Sequence, residues 1–132
     1  MDKIEKIFWK KKLFAYIVRN QKPQKTVFIT PRESNLQVGF VVYQENNEIP
    51  RHVHNPIRRI LDRTEEVLIV RQGRARLDIY DDEKKRVDSK EVFEGDVIIL
   101  VNGGHGFHIY EDTVLLEIKQ GPYTGISEKK RF

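Results

Sequence analysis

The sequence contains no cysteine, which excludes disulfides, zinc–thiolate clusters and thiolate nucleophiles. Long apolar runs are missing as well. The longest, Leu13 to Val18, has six residues, against the roughly 20 that a membrane helix needs. No secretory leader is expected, because Lys10, Lys11 and Lys12 stand where its apolar stretch would have to lie. There is no phosphate-cradling glycine loop: Gly103, Gly104 and Gly106 are better explained as room for the backbone around His105. Ser34, Ser89 and Ser127 have no histidine nearby in sequence, which argues against a serine nucleophile. No repeat, linker or low-complexity segment interrupts the chain. These absences point to a soluble, cytoplasmic chain with no membrane partner.

The net charge is +4, but it is unevenly placed. Residues 1–25 hold eight Lys or Arg against Asp2 and Glu5, a balance of +6, and the other 107 residues carry −2. A nucleic-acid face needs a basic stripe across the folded body. Here the excess sits on one N-terminal segment, so a solvated basic edge is the better reading and nucleic acid is not expected as a partner.

What the chain does have is enough apolar material for one core: 132 residues, 39% hydrophobic. Its pattern is one of short β runs punctuated by turn residues. Leu13–Arg19, Thr26–Thr30 and Leu36–Gln44 read as strands, the last apolar on both faces as in a doubly buried strand. Lys3–Lys12 is compatible with a short helix or a ragged strand. Further on, Glu66–Arg71 and Arg74–Tyr80 flank Gln72-Gly73, which reads as a tight turn. Val87–Phe93, Val97–Val101 and Thr113–Lys119 continue the series at a rhythm that suits a sandwich or barrel. One all-β domain over 1–132 is expected, with a core over about 13–120 and residues 121–132 as a C-terminal tail.

The four histidines fall in two clusters, His52 and His54 in PRHVHN and His105 and His108 in GGHGFH. In an extended segment residues i and i+2 point to one side, so His52 and His54 can aim at a common point. Glu66 opens a strand, and His105 follows Val97–Val101. Three imidazoles and a carboxylate suit a divalent first-row ion such as Fe, Mn, Ni or Zn, and leave positions open for substrate or dioxygen.

The segment His52 to Gly73 resembles the first motif of the cupin superfamily. That motif is H-x-H, here His52 and His54, then a Glu and a Gly, here Glu66 and Gly73 with VLIVRQ between them. Gly95 to His105 (GDVIILVNGGH) resembles the second motif, which ends on the third metal-binding histidine. The stretch NPIRRILDRTE is longer than usual, Val101 replaces the usual proline, and the run before His105 is one residue short. His108 therefore stays open as an alternative to His105, and Glu65 competes with Glu66. More narrowly, HVHNP, EVLIVRQG, GGHGFH and KQGPY are similar to small single-domain cupins that accompany genes for surface-polysaccharide and nucleotide-sugar biosynthesis.

The resemblance implies a double-stranded β-helix, or jelly-roll barrel, forming a homodimer. It also implies a divalent ion held by His52, His54, Glu66 and His105. The expected activity is metal-dependent chemistry on a small polar metabolite such as a sugar or nucleotide sugar, by isomerisation, epimerisation or oxygenation. The alternatives are a non-catalytic metabolite-binding module and a metal-free epimerase or isomerase with a histidine base. For the ligand itself, Arg58 and Arg59, with Arg63 nearby, are candidate anion binders, although pairing with Asp62 and Glu65 or plain solvation competes. Tyr43 and Phe107 are candidate walls and Lys119 a candidate base.

Overall fold

A computed structural model describes residues 3–125 and 128–132. The described chain is all-β, with ten strands and no α-helix. It packs as two compact units, one made of Met1–Gln21 with Thr64–Phe132 and the other of Lys22–Arg63. No helix is long and apolar enough to cross a membrane among the described residues.

In the larger unit, β1 (Ile4–Trp9), β2 (Lys12–Val18), β8 (Val97–Leu100), β5 (Glu66–Gln72) and β10 (Val114–Lys119) form one antiparallel sheet in that spatial order. A second sheet runs β7 (Arg86–Phe93), β6 (Arg74–Tyr80), β9 (Gly104–Ile109), again antiparallel. Alternation along each strand decides which residues meet between them. Ala15, Ile17, Leu68, Val70, Ile98 and Leu100 from the first sheet join Ala75, Leu77, Ile79 and Val92 from the second in one core. Burying each larger aliphatic chain contributes about 1.5–3 kcal/mol, so this shared face is the main source of stability. Tyr16, Val18, Val67 and Ile99 on the opposite face of the first sheet are buried too. That explains why β2 and β8 read as unbroken apolar runs rather than as alternating ones.

Several expectations need correction. Gln72-Gly73 is not a hairpin turn: β5 pairs with β8 and β10, and β6 with β7 and β9, so the chain turns a corner from one sheet to the other. Glycine is required there because φ is +95° and a Cβ would lie 2.3 Å from the Asp112 carbonyl oxygen. Lys3–Lys12 resolves as the edge strand β1, with a register shift between Ile7 and Phe8. The segment from Gly104 to Ile109, given no strand from sequence, is strand β9.

The smaller unit holds only a short ladder of β3 (Val27–Phe28) and β4 (Gly39–Phe40). Leu36–Gln44 is therefore not a doubly buried strand. Only Gly39–Phe40 of it pairs, and Val41 and Tyr43 are 52% and 55% exposed. Leu36, Val38 and Phe40 are partly buried, and none of the three is fully so.

One polar cluster locks the far end of the first sheet. Arg19 Nε donates to Glu5 Oε2 at 2.6 Å, and its Nη1 donates to Asp96 Oδ2 at 2.9 Å. Buried Asp96 also accepts the Asn20 and Phe93 backbone N–H groups at 3.0 and 2.8 Å. Asp96 is thus the turn-forming residue its Glu-Gly-Asp context suggests, saturated with donors.

Candidate functional site

Glu66 begins β5 directly opposite Leu100 on one side and Lys119 on the other. It shares the inner face with Leu68 and Val70, so a strand that is otherwise core ends in a carboxylate at the mouth of the sandwich. His105 stands opposite Ile79, a core residue, and so faces inward from the second sheet at the same end. The two side chains meet there: His105 Nε2 lies 3.8 Å from Glu66 Oε2, with 34% and 11% of their side-chain surfaces exposed.

Between them opens a cavity of about 630 Å³, a size suited to a small metabolite. Its walls include Glu66, Tyr80, His105 and Lys119 together with the segment Glu128–Phe132. Burial pushes the Glu66 carboxyl up, helped by the neighbouring Glu117 carboxylate and opposed by Lys119 and Lys129. Burial also pushes the His105 imidazole down, reinforced by Lys129 and opposed by Glu117. The pair is therefore better described as a neutral imidazole beside a disfavoured carboxylate than as a salt bridge.

The open choices separate by strand geometry. His108 lies three residues along β9, opposite Arg76, on the other face; its ring packs against Tyr110 at 5.1 Å rather than beside Glu66. Glu65 is buried just ahead of β5 with its N–H donated to the Gln120 side chain at 3.1 Å. Among the other candidates, Lys119 lines the cavity, whereas Phe107, opposite Leu77, packs against the core.

His52 and His54 belong to the smaller unit, on an exposed segment without regular structure. Their rings are 5.3 Å apart and edge-to-face, on one side of the chain as i, i+2 spacing demands. His52 Nδ1 lies 2.9 Å from the Pro50 carbonyl oxygen. That oxygen can only accept, so Nδ1 is the donor in this contact. Arg58, Arg59 and Tyr43 are exposed in the same unit.

No group of three or more His, Asp or Glu side chains that could hold a metal ion is present among the described residues. Two ligands each about 2.1 Å from one first-row ion lie about 3.4 Å apart in tetrahedral geometry, so Glu66 and His105, at 3.8 Å, would have to draw about 0.4 Å closer to share one. Sequence reasoning gave Tyr80 no role beyond its strand and read Glu128–Phe132 only as part of a C-terminal tail, so both were missed as cavity residues. Compared with protein-family models, curated proteins and solved structures, the chain gives no match.

Proposed function

We propose that this chain is a metal-binding cupin of jelly-roll type, acting as an enzyme on a small polar metabolite such as a sugar or nucleotide sugar. The observation that carries this reading is the convergence of Glu66 and His105 at the mouth of a cavity of metabolite size. Glu66 and His105 would supply two ligands of a divalent ion; His52 and His54 as further ligands rest on the sequence resemblance alone. When bound, such an ion supplies Lewis acidity toward a carbonyl or hydroxyl oxygen, or a place for dioxygen. Lys119, on the same face as Glu66, would orient an anionic group of the substrate. Leu68 and Val70, the next residues on the face that Glu66 shares, belong to the buried core.

A second reading has its own support. Tyr80 and Lys119 line the same cavity as His105, giving a metal-free epimerase or isomerase both a neutral imidazole base and an acid to serve the other side of a stereocentre.

Metal analysis of protein purified without a metal-charged resin separates the two. Wild type and His108→Ala should carry about one equivalent of Fe, Mn, Ni or Zn, and Glu66→Gln, His105→Ala and His54→Ala much less. Wild type that neither carries nor takes up any of these ions would sink the metal reading. Turnover of a candidate sugar that survives chelation would establish the second.

A further inference from the structure

Five residues of the cavity wall come from one short stretch, Glu128–Phe132, remote in sequence from the strands that build the rest. With Lys119 it brings four cations to the lining, Lys119, Lys129, Lys130 and Arg131, against two carboxylates, Glu66 and Glu128. No salt bridge engages Lys129, Lys130 or Arg131 among the described residues. Among the lining side chains the surplus is two positive charges, more than one ligand carboxylate would balance, and Glu117, outside the lining, offsets part of it. The lining surplus matches a phosphoryl group, which carries about −1.5 to −2 near pH 7.

A second observation fixes where this stretch lies. The Phe132 ring packs edge-to-face on Tyr80, with centroids 5.2 Å apart and planes at 89°. It sits on Gly104, where a Cβ would come within 2.9 Å of Phe132 Cζ, so the glycine makes room for the ring. Lys84 Nζ stands 5.9 Å from the same ring. Phe132 stays 63% exposed beside these three neighbours. The aromatic contact thus anchors the stretch, and the preceding cations border the cavity that holds Glu66 and His105.

We propose that Glu128–Phe132 is a strap that completes the cavity and selects a phosphate-bearing ligand, with Lys119, Lys129, Lys130 and Arg131 as its cationic contacts and Phe132 as the anchor. This rests on reading the cavity as a small-molecule site and does not require the metal. Arginine offers phosphate a two-pronged donor set and lysine a movable point charge. Their field is concentrated by the concave wall.

Isothermal titration calorimetry of the full chain with glucose 1-phosphate, inorganic phosphate and glucose tests it. Glucose 1-phosphate should bind at least about tenfold more tightly than glucose and lose affinity as salt is raised. Inorganic phosphate binding equally well would assign recognition to the phosphoryl group alone; weaker binding would add the sugar; both outcomes support the strap's chemistry. The combined Lys129→Glu, Lys130→Glu, Arg131→Glu variant should weaken sugar-phosphate binding by at least about tenfold with an unchanged melting temperature. Phe132→Ala should weaken it severalfold without altering any residue that touches the phosphate. Glucose 1-phosphate bound no better than glucose, or the triple variant binding like wild type, would overturn the proposal and leave a solvated basic tail. Metal content read on the same samples reports on the Glu66–His105 metal reading separately, since the strap residues are not its ligands.

Discussion

The two ends of strand β8 carry opposite solutions to the same problem, an acid at the border of an apolar sheet. At one end, Asp96 accepts donors from Arg19, Asn20 and Phe93, and every contact serves the fold. At the other, Glu66 pairs with Leu100 across the sheet and faces His105, Lys119 and a cavity. The first carboxylate is saturated; the second has its charge disfavoured by burial and by Glu117. A fold gains from the first arrangement. The second is a cost to the fold that a bound ion or ligand would offset.

The largest effect is expected at the saturated end. Asp96→Ala removes the acceptor for Arg19 and for two backbone N–H groups in one step. Arg19 is 24% exposed and keeps Glu5, so the cost comes mainly from the two backbone N–H groups left without their acceptor, about 1–3 kcal/mol each, and equilibrium urea denaturation should register a loss of about 2–4 kcal/mol. A loss below about 1 kcal/mol would mean that water replaces the carboxylate at little cost, and the contrast between the two ends would collapse.

Asp78 tests the comparison in pH rather than in sequence. It is buried, which alone would raise its carboxyl. It is nevertheless held below the usual carboxylate range by hydrogen bonds from Arg76 and Ser89 and by the charges of Arg76 and Arg86. Arg76 Nε and Nη2 donate at 2.9 and 3.1 Å, and Ser89 Oγ at 2.6 Å. With the folded value depressed, the stabilisation is fully present above the unfolded carboxyl value, about 3.9. It is lost as pH falls through the folded one. Asp78→Asn should therefore be less stable than wild type at neutral pH, and the difference should shrink on acidification. Denaturation midpoints across a pH series check this; a gap that widens toward low pH would reverse the assigned sign.

How much of this could be read from the chain depends on the range of the interaction. Strands β2, β5, β6, β7, β8 and β10 follow from β-branched runs and local turn residues, and the inward face of Glu66 follows from the period of two. Strand β9 was hidden because Gly104 and Gly106 look like loop residues, although they are paired opposite Tyr80 and Asp78. The corner at Gly73 shares its local chemistry with a hairpin, and only the pairing of β5 and β6 with other strands distinguishes them. Lys129 to Phe132 read as an ordinary charged tail. Their place beside Tyr80 and Gly104 depends on a contact across some 50 residues in the case of Tyr80, which no local pattern encodes.

The smallest stability effect, and the one that most sharpens the comparison, belongs to Glu66→Gln. The amide keeps the shape of the side chain while removing a charge that burial and Glu117 both oppose. It breaks no backbone contact of the kind Asp96 makes. In chelator-treated protein the variant should match wild type within about 0.5 kcal/mol or exceed it. The same substitution should lower metal uptake, because an amide oxygen is a weaker ligand than a carboxylate. Stability retained while metal uptake falls would mark Glu66 as a residue kept for chemistry. A loss of more than about 2 kcal/mol in the chelated protein would instead make Glu66 a structural acid like Asp96, and the distinction between the two ends of β8 would no longer hold.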